Sequence, residues 1–301
     1  PGLRGPLAIL RRRFGVEVVE IELDADDEAL VERFDEAIRP GARLVALSHV
    51  TWLTGRRLPV ERIAPLAATR GATVVVDGAQ AVGALPVDAP SLGADFYALP
   101  AYKWLLGPQG MGALWVAPRV VAAEGRQLLA GRPSFALGDE AGAVDPSVAF
   151  WPTARRFEWS TFHRPSVLGF ARSCSWLSMY VGLGWMFERG ARLTELLAGR
   201  LASIRGVELL AAGRPRGTIL ALRVAGWRAP EVARELGQRA FAIVQPVPAL
   251  DAVRLSVGFF NTEAELERVA ETVELLAEHR PETLPPRPSL TVLGGEPAGG
   301  R

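Results

Sequence analysis

Asp77 and Lys103 each follow an apolar run, and a carboxylate and an amine are side chains that can act together in catalysis. Asp77 ends the run Val74-Val75-Val76, and Lys103 follows the next apolar run along the chain. A carboxylate at the end of a buried strand is costly unless a cation or donor faces it. An amine and an acid about one ligand apart suit an aldehyde cofactor with a basic ring nitrogen. The amine forms a Schiff base, and the acid keeps the ring protonated, so that the ring can act as an electron sink.

Lys103 is the only lysine among the 34 Lys and Arg residues of the chain. Arginine carries surface charge as well as lysine does, but a guanidinium effectively never loses its proton and therefore cannot attack a carbonyl carbon. One interpretation is that Lys103 is a chance survivor of a strong arginine bias. The other is that it is a nucleophile, and this count alone leaves both open.

Short apolar runs alternate with amphipathic segments from about residue 7 to 130, which is typical of a buried, mainly parallel sheet with helices on both faces. We predict strands at residues 16–23, 44–48, 72–76, 95–98 and 112–116, and helices at residues 27–38 and 59–69. The fold class is therefore α/β. In such sheets, ligands bind beyond the carboxyl ends of the strands, where Asp77 and Lys103 are expected to converge.

The remainder of the chain predicts a long loop at residues 124–153, a helical span at 165–198 broken near its glycines, and a second α/β pattern. That pattern has strands at residues 207–210, 218–224, 242–244 and 252–257, with helices at 230–239 and 262–278. We predict four parts: a large domain at residues 1–155, a connecting helical segment at 156–190, a small domain at 191–280, and a disordered Pro/Gly-rich tail at 281–301.

Composition excludes several classes of function. The 301 residues carry a formal net charge of +1, which offers no global field for nucleic acid or an anionic membrane. Cys174 is the only cysteine, so an intrachain disulfide is impossible and a cysteine-based metal cluster is not expected. No apolar stretch is long enough to span a bilayer and no signal peptide is evident, so we predict a cytoplasmic protein. We expect no metal, and the glycines after Lys103 do not form the strand–GxGxxG–helix unit of a nicotinamide enzyme.

Several ordered sequence blocks resemble the class V aminotransferase and cysteine desulfurase family of pyridoxal-phosphate enzymes of fold type I. The similarity extends from residue 1 to about residue 277. The blocks are Ser48-His49-Val50-Thr51, Val76-Asp77-Gly78-Ala79-Gln80, Lys103-Trp104-Leu105-Leu106-Gly107, Arg156-Phe157-Glu158-Trp159-Ser160-Thr161, and Arg254-Leu255-Ser256 followed by Phe260-Asn261-Thr262.

The resemblance implies a role for each matching residue. Lys103 would bind the cofactor covalently and move the substrate's α-proton, Asp77 would pair with the pyridinium nitrogen, and Gln80 would bond the phenolic oxygen. Thr161 would reach the phosphate of the neighbouring subunit's cofactor, which implies a homodimer with shared sites. Arg254 would hold the substrate carboxylate by a bidentate contact. His49 matches a position near the cofactor, with a less defined role.

The chain departs from the family at three places. Pro100 stands where a serine commonly contacts the phosphate, so that contact must come from elsewhere, and Tyr102 is a candidate to supply a hydroxyl. Trp52 stands where desulfurases usually carry Asn, which predicts a different substrate pocket. The segment 243–251 lacks the desulfurases' reactive Cys, and persulfide chemistry needs a thiolate. We therefore predict that the protein is not a desulfurase of that kind, and that Cys174 is a core thiol.

The resemblance favours transamination or α-epimerisation of the isopenicillin N epimerase kind on an amino acid or related amine, with a carbon–sulfur lyase activity next. A non-catalytic relative is the alternative from another class. The family's Gly-rich phosphate loop and the residue that stacks on the pyridine ring precede the segment matching Pro1. We therefore expect this sequence to be part of a longer protein.

Overall fold

The computed structural model describes residues 2–23, 26–123, 131–135 and 150–287. The chain divides into two compact units, Pro1–Arg189 with Gly213–Gly217, and Gly190–Ala212 with Thr218–Arg301. The division of the chain into four parts, with boundaries at residues 155, 190 and 280, stays a prediction.

The first unit contains a four-stranded sheet in the order β1-β2-β3-β4. Its strands are β1 (Leu44–Ser48), β2 (Thr73–Asp77), β3 (Phe96–Pro100) and β4 (Gly112–Val116). Its first four helices are α1 (Arg4–Phe14), α2 (Asp27–Ala37), α3 (Val60–Thr69) and α4 (Pro118–Ala122). β1, β2 and β3 are parallel and β4 is antiparallel to β3, which confirms a mainly parallel α/β sheet.

Helices α2 and α3 cover the parallel strands because each has one apolar face. Leu30 of α2 and Ile63 of α3 are fully buried and belong to the same cluster as Val74 and Val76 of β2. The Asp26 side chain accepts from the Ala29 backbone amide at 2.9 Å, which starts α2 by satisfying a free N–H. The two helices and β2 thus share one apolar core.

The strand predicted at residues 16–23 is wrong, since this segment has no regular secondary structure. Its alternating apolar residues suggested a half-buried strand, yet Val16 and Val19 are exposed. The carbonyl oxygens of Glu22 and Leu23 accept from the guanidinium groups of Arg33 and Arg56 instead of from a neighbouring strand. At these two carbonyls, arginine side chains supply the hydrogen bonds that a neighbouring strand would supply in a sheet.

The predicted break in the long helical span is confirmed. α5 (Arg164–Trp176) continues into a π-helical turn, Leu177–Val181, and α6 (Leu183–Ala202) begins after Gly182. Gly182 has a φ of +83°, a backbone conformation that glycine adopts without penalty. Of the predicted loop 124–153, residues 124–130 and 136–149 lie outside the described residues; Phe135 and Phe150 form an isolated antiparallel bridge.

The second unit has an antiparallel sheet in the order β5-β6-β8-β7. Its elements are β5 (Val207–Leu209), β6 (Ile219–Val224), α7 (Ala229–Arg239), β7 (Gln245–Val247), β8 (Ala252–Ser256) and α8 (Glu263–Glu278). Leu222 of β6, Leu236 of α7 and Leu276 of α8 are fully buried in one apolar core. Thr262 and Glu265 form a capping box that begins α8.

The strand predicted at residues 242–244 is displaced, because the structure places β7 at Gln245–Val247. β7 contains Pro246, and proline has no N–H to donate to a ladder. β7 is an edge strand, however, and an edge strand tolerates proline.

The first seven residues of the predicted disordered tail contact the second unit. Glu235, whose side chain is 4% exposed, accepts from Arg239 at 3.0 Å and from Arg287 at 2.9 Å. The Arg239 guanidinium also donates to the Pro285 carbonyl at 2.6 Å. We call Glu235, Arg239 and Arg287 the carboxylate clamp. Residues 288–301 lie outside the described residues, so disorder of the tail stays a prediction.

Candidate active site

Asp77 is the last residue of β2, the strand that lies between β1 and β3. Its Cα is in register with Ser48 of β1 and Ala98 of β3. The carboxylate Oδ1 accepts from the Ala79 backbone amide at 2.9 Å, so the chain turns immediately after the strand. The strand end therefore brings a half-buried acid to the edge where the parallel strands stop.

Behind Asp77, the side chains of His49 and Tyr97 are buried and bonded to each other. The His49 Nδ1 and Tyr97 Oη atoms are 2.8 Å apart, and each side chain is only 1% exposed. Burial lowers the pKa of His49 to about 4, so the imidazole is neutral at pH 7. Burial also raises the pKa of the Tyr97 phenol, and the nearby Asp77 charge adds to this effect.

Lys103 lies in the loop that joins the antiparallel strands β3 and β4. The loop is closed by backbone bonds from Leu106 to Lys103 at 3.0 Å, from Gly107 to Ala101 at 2.8 Å, and from Ala101 to Met111 at 2.9 Å. Leu106 has a φ of +55°, which is unusual for a residue with a side chain. A half-buried lysine is thus held on a tight, ordered loop.

The Lys103 loop is supported from below by close packing. A Cβ added to Gly83 would lie 2.8 Å from the Trp104 carbonyl carbon, so only glycine allows this approach. The Trp104 indole N–H donates to Gln80 Oε1 at 3.1 Å. Because an indole nitrogen can only donate, the Gln80 amide must present its oxygen to Trp104. The Gln80 NH₂ group is then available to donate to another group.

A cavity of about 1060 Å³ lies at the carboxyl ends of the parallel strands. It brings together most of the site residues predicted from the sequence, namely Asp77, Gln80, Lys103, Tyr102, Trp52 and Thr161. The convergence of Asp77 and Lys103 on one crevice is the geometry expected from their strand-end positions. Thr161 lines the same cavity as Lys103 of its own chain, and its contact with a neighbouring subunit stays a prediction.

Two predicted site residues are not among the described residues that line the cavity. His49 is buried behind Asp77. Its side chain contacts Tyr97, and its role at the cofactor stays a prediction. Arg254 lies on β8 in the second unit, half-buried, and burial lowers the pKa of its guanidinium. Its role as carboxylate ligand stays a prediction.

Sequence reasoning missed two features of the site. Aromatic side chains form much of the cavity wall, among them Phe157, Trp159, Phe162 and Phe170. The block around Arg156 could have indicated the first two, but nothing in the sequence indicated that α5 would contribute Phe170. Tyr97 was also missed, because its partner His49 is distant in sequence and no motif joins them.

The donor set suits pyridoxal phosphate. An amine, a carboxylate and an amide whose oxygen is already bonded line one cavity, which matches the cofactor's aldehyde, ring nitrogen and phenolic oxygen. Within the described ranges, no group of three His, Cys, Asp or Glu side chains is placed to bind a metal ion. Of the helices in those ranges, none is long and apolar enough to cross a membrane.

The sheet, with a lysine and an aspartate where its strands end, defines the fold type I class of pyridoxal-phosphate enzymes. A family model described as aminotransferase class-V matches residues 4–269. The chain therefore belongs to the class V aminotransferase family, and its cofactor is pyridoxal phosphate.

Similar proteins include an isopenicillin N epimerase of Streptomyces clavuligerus, 33% identical over 88% of this chain and 69% of the relative. A probable cysteine desulfurase of Methanothermobacter thermautotrophicus is 27% identical over 90% of this chain and 70% of the relative. Among solved structures, the apo cysteine desulfurase of Thermococcus onnurineus is 25% identical, with a TM-score of 0.76 over 91% of this chain and 69% of that one. The chain is thus similar both to an isopenicillin N epimerase and to cysteine desulfurases.

Proposed function

We propose that this protein acts at the α-carbon of an amino acid or related amine, as an aminotransferase or epimerase that uses pyridoxal phosphate. The observation that carries the proposal is that Lys103, Asp77 and Gln80 line one cavity at the carboxyl ends of parallel strands. The 33% identity to an isopenicillin N epimerase supports the epimerase form.

Lys103 and Asp77 do the central work in this proposal. When bound, pyridoxal phosphate supplies an electron sink for the pair of electrons released at the substrate's α-carbon. The Lys103 ε-amine would hold the cofactor covalently and, when free, would remove or return the substrate's α-proton. The Asp77 carboxylate, held beside the Ala79 amide, keeps a proton on the ring nitrogen.

The other cavity residues bind and orient. Gln80 donates from its amide NH₂ to the phenolic oxygen, because Trp104 occupies its oxygen. Tyr102 and Thr161 supply hydroxyl groups for the phosphate, Thr161 within a homodimer. Trp52 forms part of the substrate pocket, and Arg254 binds the substrate carboxylate.

The proposal excludes the persulfide reaction of cysteine desulfurases. That reaction needs a thiolate, and burial raises the pKa of Cys174, the only thiol of the chain. Cys174 lies on α5 and is only partly buried, so the prediction of a core thiol is wrong. It is also absent from the described residues that line the cavity. A carbon–sulfur lyase that needs no enzyme thiol stays the second candidate, because probable cysteine desulfurases are among the relatives.

The test compares the protein with its Lys103→Ala and Lys103→Arg variants after addition of pyridoxal phosphate. We expect a visible absorption band that borohydride removes, and a reduced cofactor found by mass spectrometry on the peptide containing Lys103. Both signals should disappear in the two variants, because neither alanine nor arginine can form the covalent bond. Lys103→Arg is the matched control, since it keeps the positive charge.

A band that persists in Lys103→Ala, or no band in the wild-type protein, would show that the fold has been kept without this chemistry. If the band is present, product analysis separates the activities. Transamination transfers the amine to a keto acid. Epimerisation brings solvent deuterium into the α-position without a keto product, and a lyase releases sulfide or a similar fragment. The predicted cytoplasmic location is tested separately by fractionation.

A further inference from the structure

We infer that His49 and Tyr97 form a buried positioning pair that sets the direction in which Asp77 meets the cofactor. The inference rests on the function proposed for Asp77, and neither residue is a catalytic residue in it. Both act through the backbone and side chain of Asp77.

The pair bridges the two strands that flank β2. His49 directly follows β1, and Tyr97 lies on β3, so their 2.8 Å bond crosses beneath the end of β2. The backbone at the end of β2 is also hydrogen-bonded to both flanking chain segments. The His49 amide donates to the Asp77 carbonyl at 2.9 Å, and the Gly78 amide donates to the Ala98 carbonyl at 2.8 Å.

The Tyr97 ring lies directly against the chain after Asp77. A Cβ added to Gly78 would be 2.0 Å from Tyr97 Cε1 and 2.7 Å from Tyr97 Oη. Gly78, which starts the turn, therefore packs directly against the Tyr97 ring. The turn is closed by the hydrogen bond from the Ala79 amide to Asp77 Oδ1 at 2.9 Å. A shift of the ring would move the carboxylate.

The orientation of the His49 ring depends on its bond with Tyr97. His49 Nε2 is buried and has no hydrogen-bond partner among the described residues, so Nδ1 makes the side chain's one such bond there. The rings of His49 and Tyr97 meet edge to face, with an interplanar angle of 88°. Charges of Arg57 and Glu61 act on His49 with opposite sign, yet burial dominates and keeps the ring uncharged. The pair thus orients Asp77 without placing a competing charge behind it.

The first test needs no cofactor. In Tyr97→Phe the ring remains on Gly78 but the bond to His49 is lost. We expect the Ala79 amide of the cofactor-free protein to exchange with solvent deuterium about tenfold faster, because removing a buried hydrogen bond costs roughly one factor of ten. Thr194→Val is the matched control. It removes a buried 2.7 Å bond to the Gly190 carbonyl in the second unit and should leave Ala79 unchanged.

The second test adds pyridoxal phosphate and measures its dissociation constant and the pH midpoint of its visible band. Tyr97→Phe should weaken binding about tenfold and shift the midpoint, whereas Thr194→Val should do neither. His49→Asn places a polar atom near Nδ1 and should retain most of the wild-type behaviour, whereas His49→Phe should resemble Tyr97→Phe.

Unchanged Ala79 exchange in Tyr97→Phe and His49→Phe would overturn the inference, even if both variants lose thermal stability, because the pair would then only fill the core. Failure of the proposed function gives a different result. In that case the wild-type protein shows no lysine-bound cofactor, while the exchange experiment still reports on the pair.

Discussion

The first unit's sheet has three parallel strands that stop at one edge, whereas the second unit's sheet is antiparallel throughout. Polar residues at the ends of parallel strands meet at that edge, but those at the ends of antiparallel strands are divided between two edges. The cavity in the first unit measures about 1060 Å³, and the one described within the second unit about 280 Å³.

This difference separates two tasks. In the first unit, a half-buried acid and a half-buried amine line one cavity at the strand ends. The second unit closes its sheet with α7 and α8 around leucines that are fully buried. We therefore expect substitutions in the second core to change stability and substitutions at the first sheet's edge to change cofactor binding.

The largest expected effect is in the second core. Leu222→Ala should lower the free energy of unfolding by about 2–5 kcal/mol, because it removes a fully buried side chain and leaves a cavity. Below the unfolding temperature, the dissociation constant of pyridoxal phosphate should stay within twofold of the wild type. Denaturant titration and cofactor titration measure the two quantities. A large loss of affinity in folded Leu222→Ala would break the separation.

Substitution of a glycine at the first sheet's edge should weaken cofactor binding, which Leu222→Ala leaves unchanged. Gly78→Ala forces a Cβ into the Tyr97 ring. It should lower the free energy of unfolding by about 3 kcal/mol, the upper end for overpacking, and it should also weaken cofactor binding. Gly199→Ala in α6 is the control, since a Cβ there meets nothing within 4 Å, and it should stabilise by up to about 1 kcal/mol. Equal behaviour of the two variants in cofactor titration would contradict the separation.

His49 makes the stability of the first unit dependent on pH. Its pKa falls from 6.5 to about 4 on folding, so between these values the unfolded chain binds a proton that the folded chain does not. This contribution is present above pH 6.5, is lost as the pH falls toward 4, and is on the order of 3 kcal/mol. His49→Asn should flatten the stability–pH curve in that window. His163→Asn, at an exposed position, should leave the slope intact, and a slope that survives in His49→Asn would disprove the assignment.

The smallest expected effect is at the carboxylate clamp. Arg287→Gln should lower the free energy of unfolding only slightly, because Arg287 is half-exposed and Glu235 keeps its bond with Arg239. Limited proteolysis should cut residues 281–287 faster in this variant, with cofactor binding unchanged. Arg205→Gln, at an exposed arginine in the same unit, serves as the control. Identical cleavage rates would mean that the clamp does not hold the segment.

Much of the first sheet could be predicted because buried parallel strands leave short apolar runs with polar residues at their ends. β1 and β4 occur at the predicted residues, and β2 is displaced by one residue, so that Asp77 is its last member. The cavity residues followed from strand-end positions and from family blocks. Both signals are local in sequence.

The features that escaped prediction depend on distant partners. Arginine side chains from other elements occupy the carbonyls of residues 22 and 23, and the edge position of β7 explains its proline. The bond between His49 and Tyr97 joins two strands that are not neighbours in the sheet. No local periodicity encodes such contacts, because they arise only once the sheet has assembled.

The half-buried Lys103 on its tight loop has a practical consequence. Its side chain carries the only primary amine among the side chains of these 301 residues. An amine-directed acylating reagent should therefore attach to one side chain only, and its rate should report how far the cavity admits a reagent of given size. A graded series of such reagents would measure the width of the cavity entrance in solution without any knowledge of the substrate.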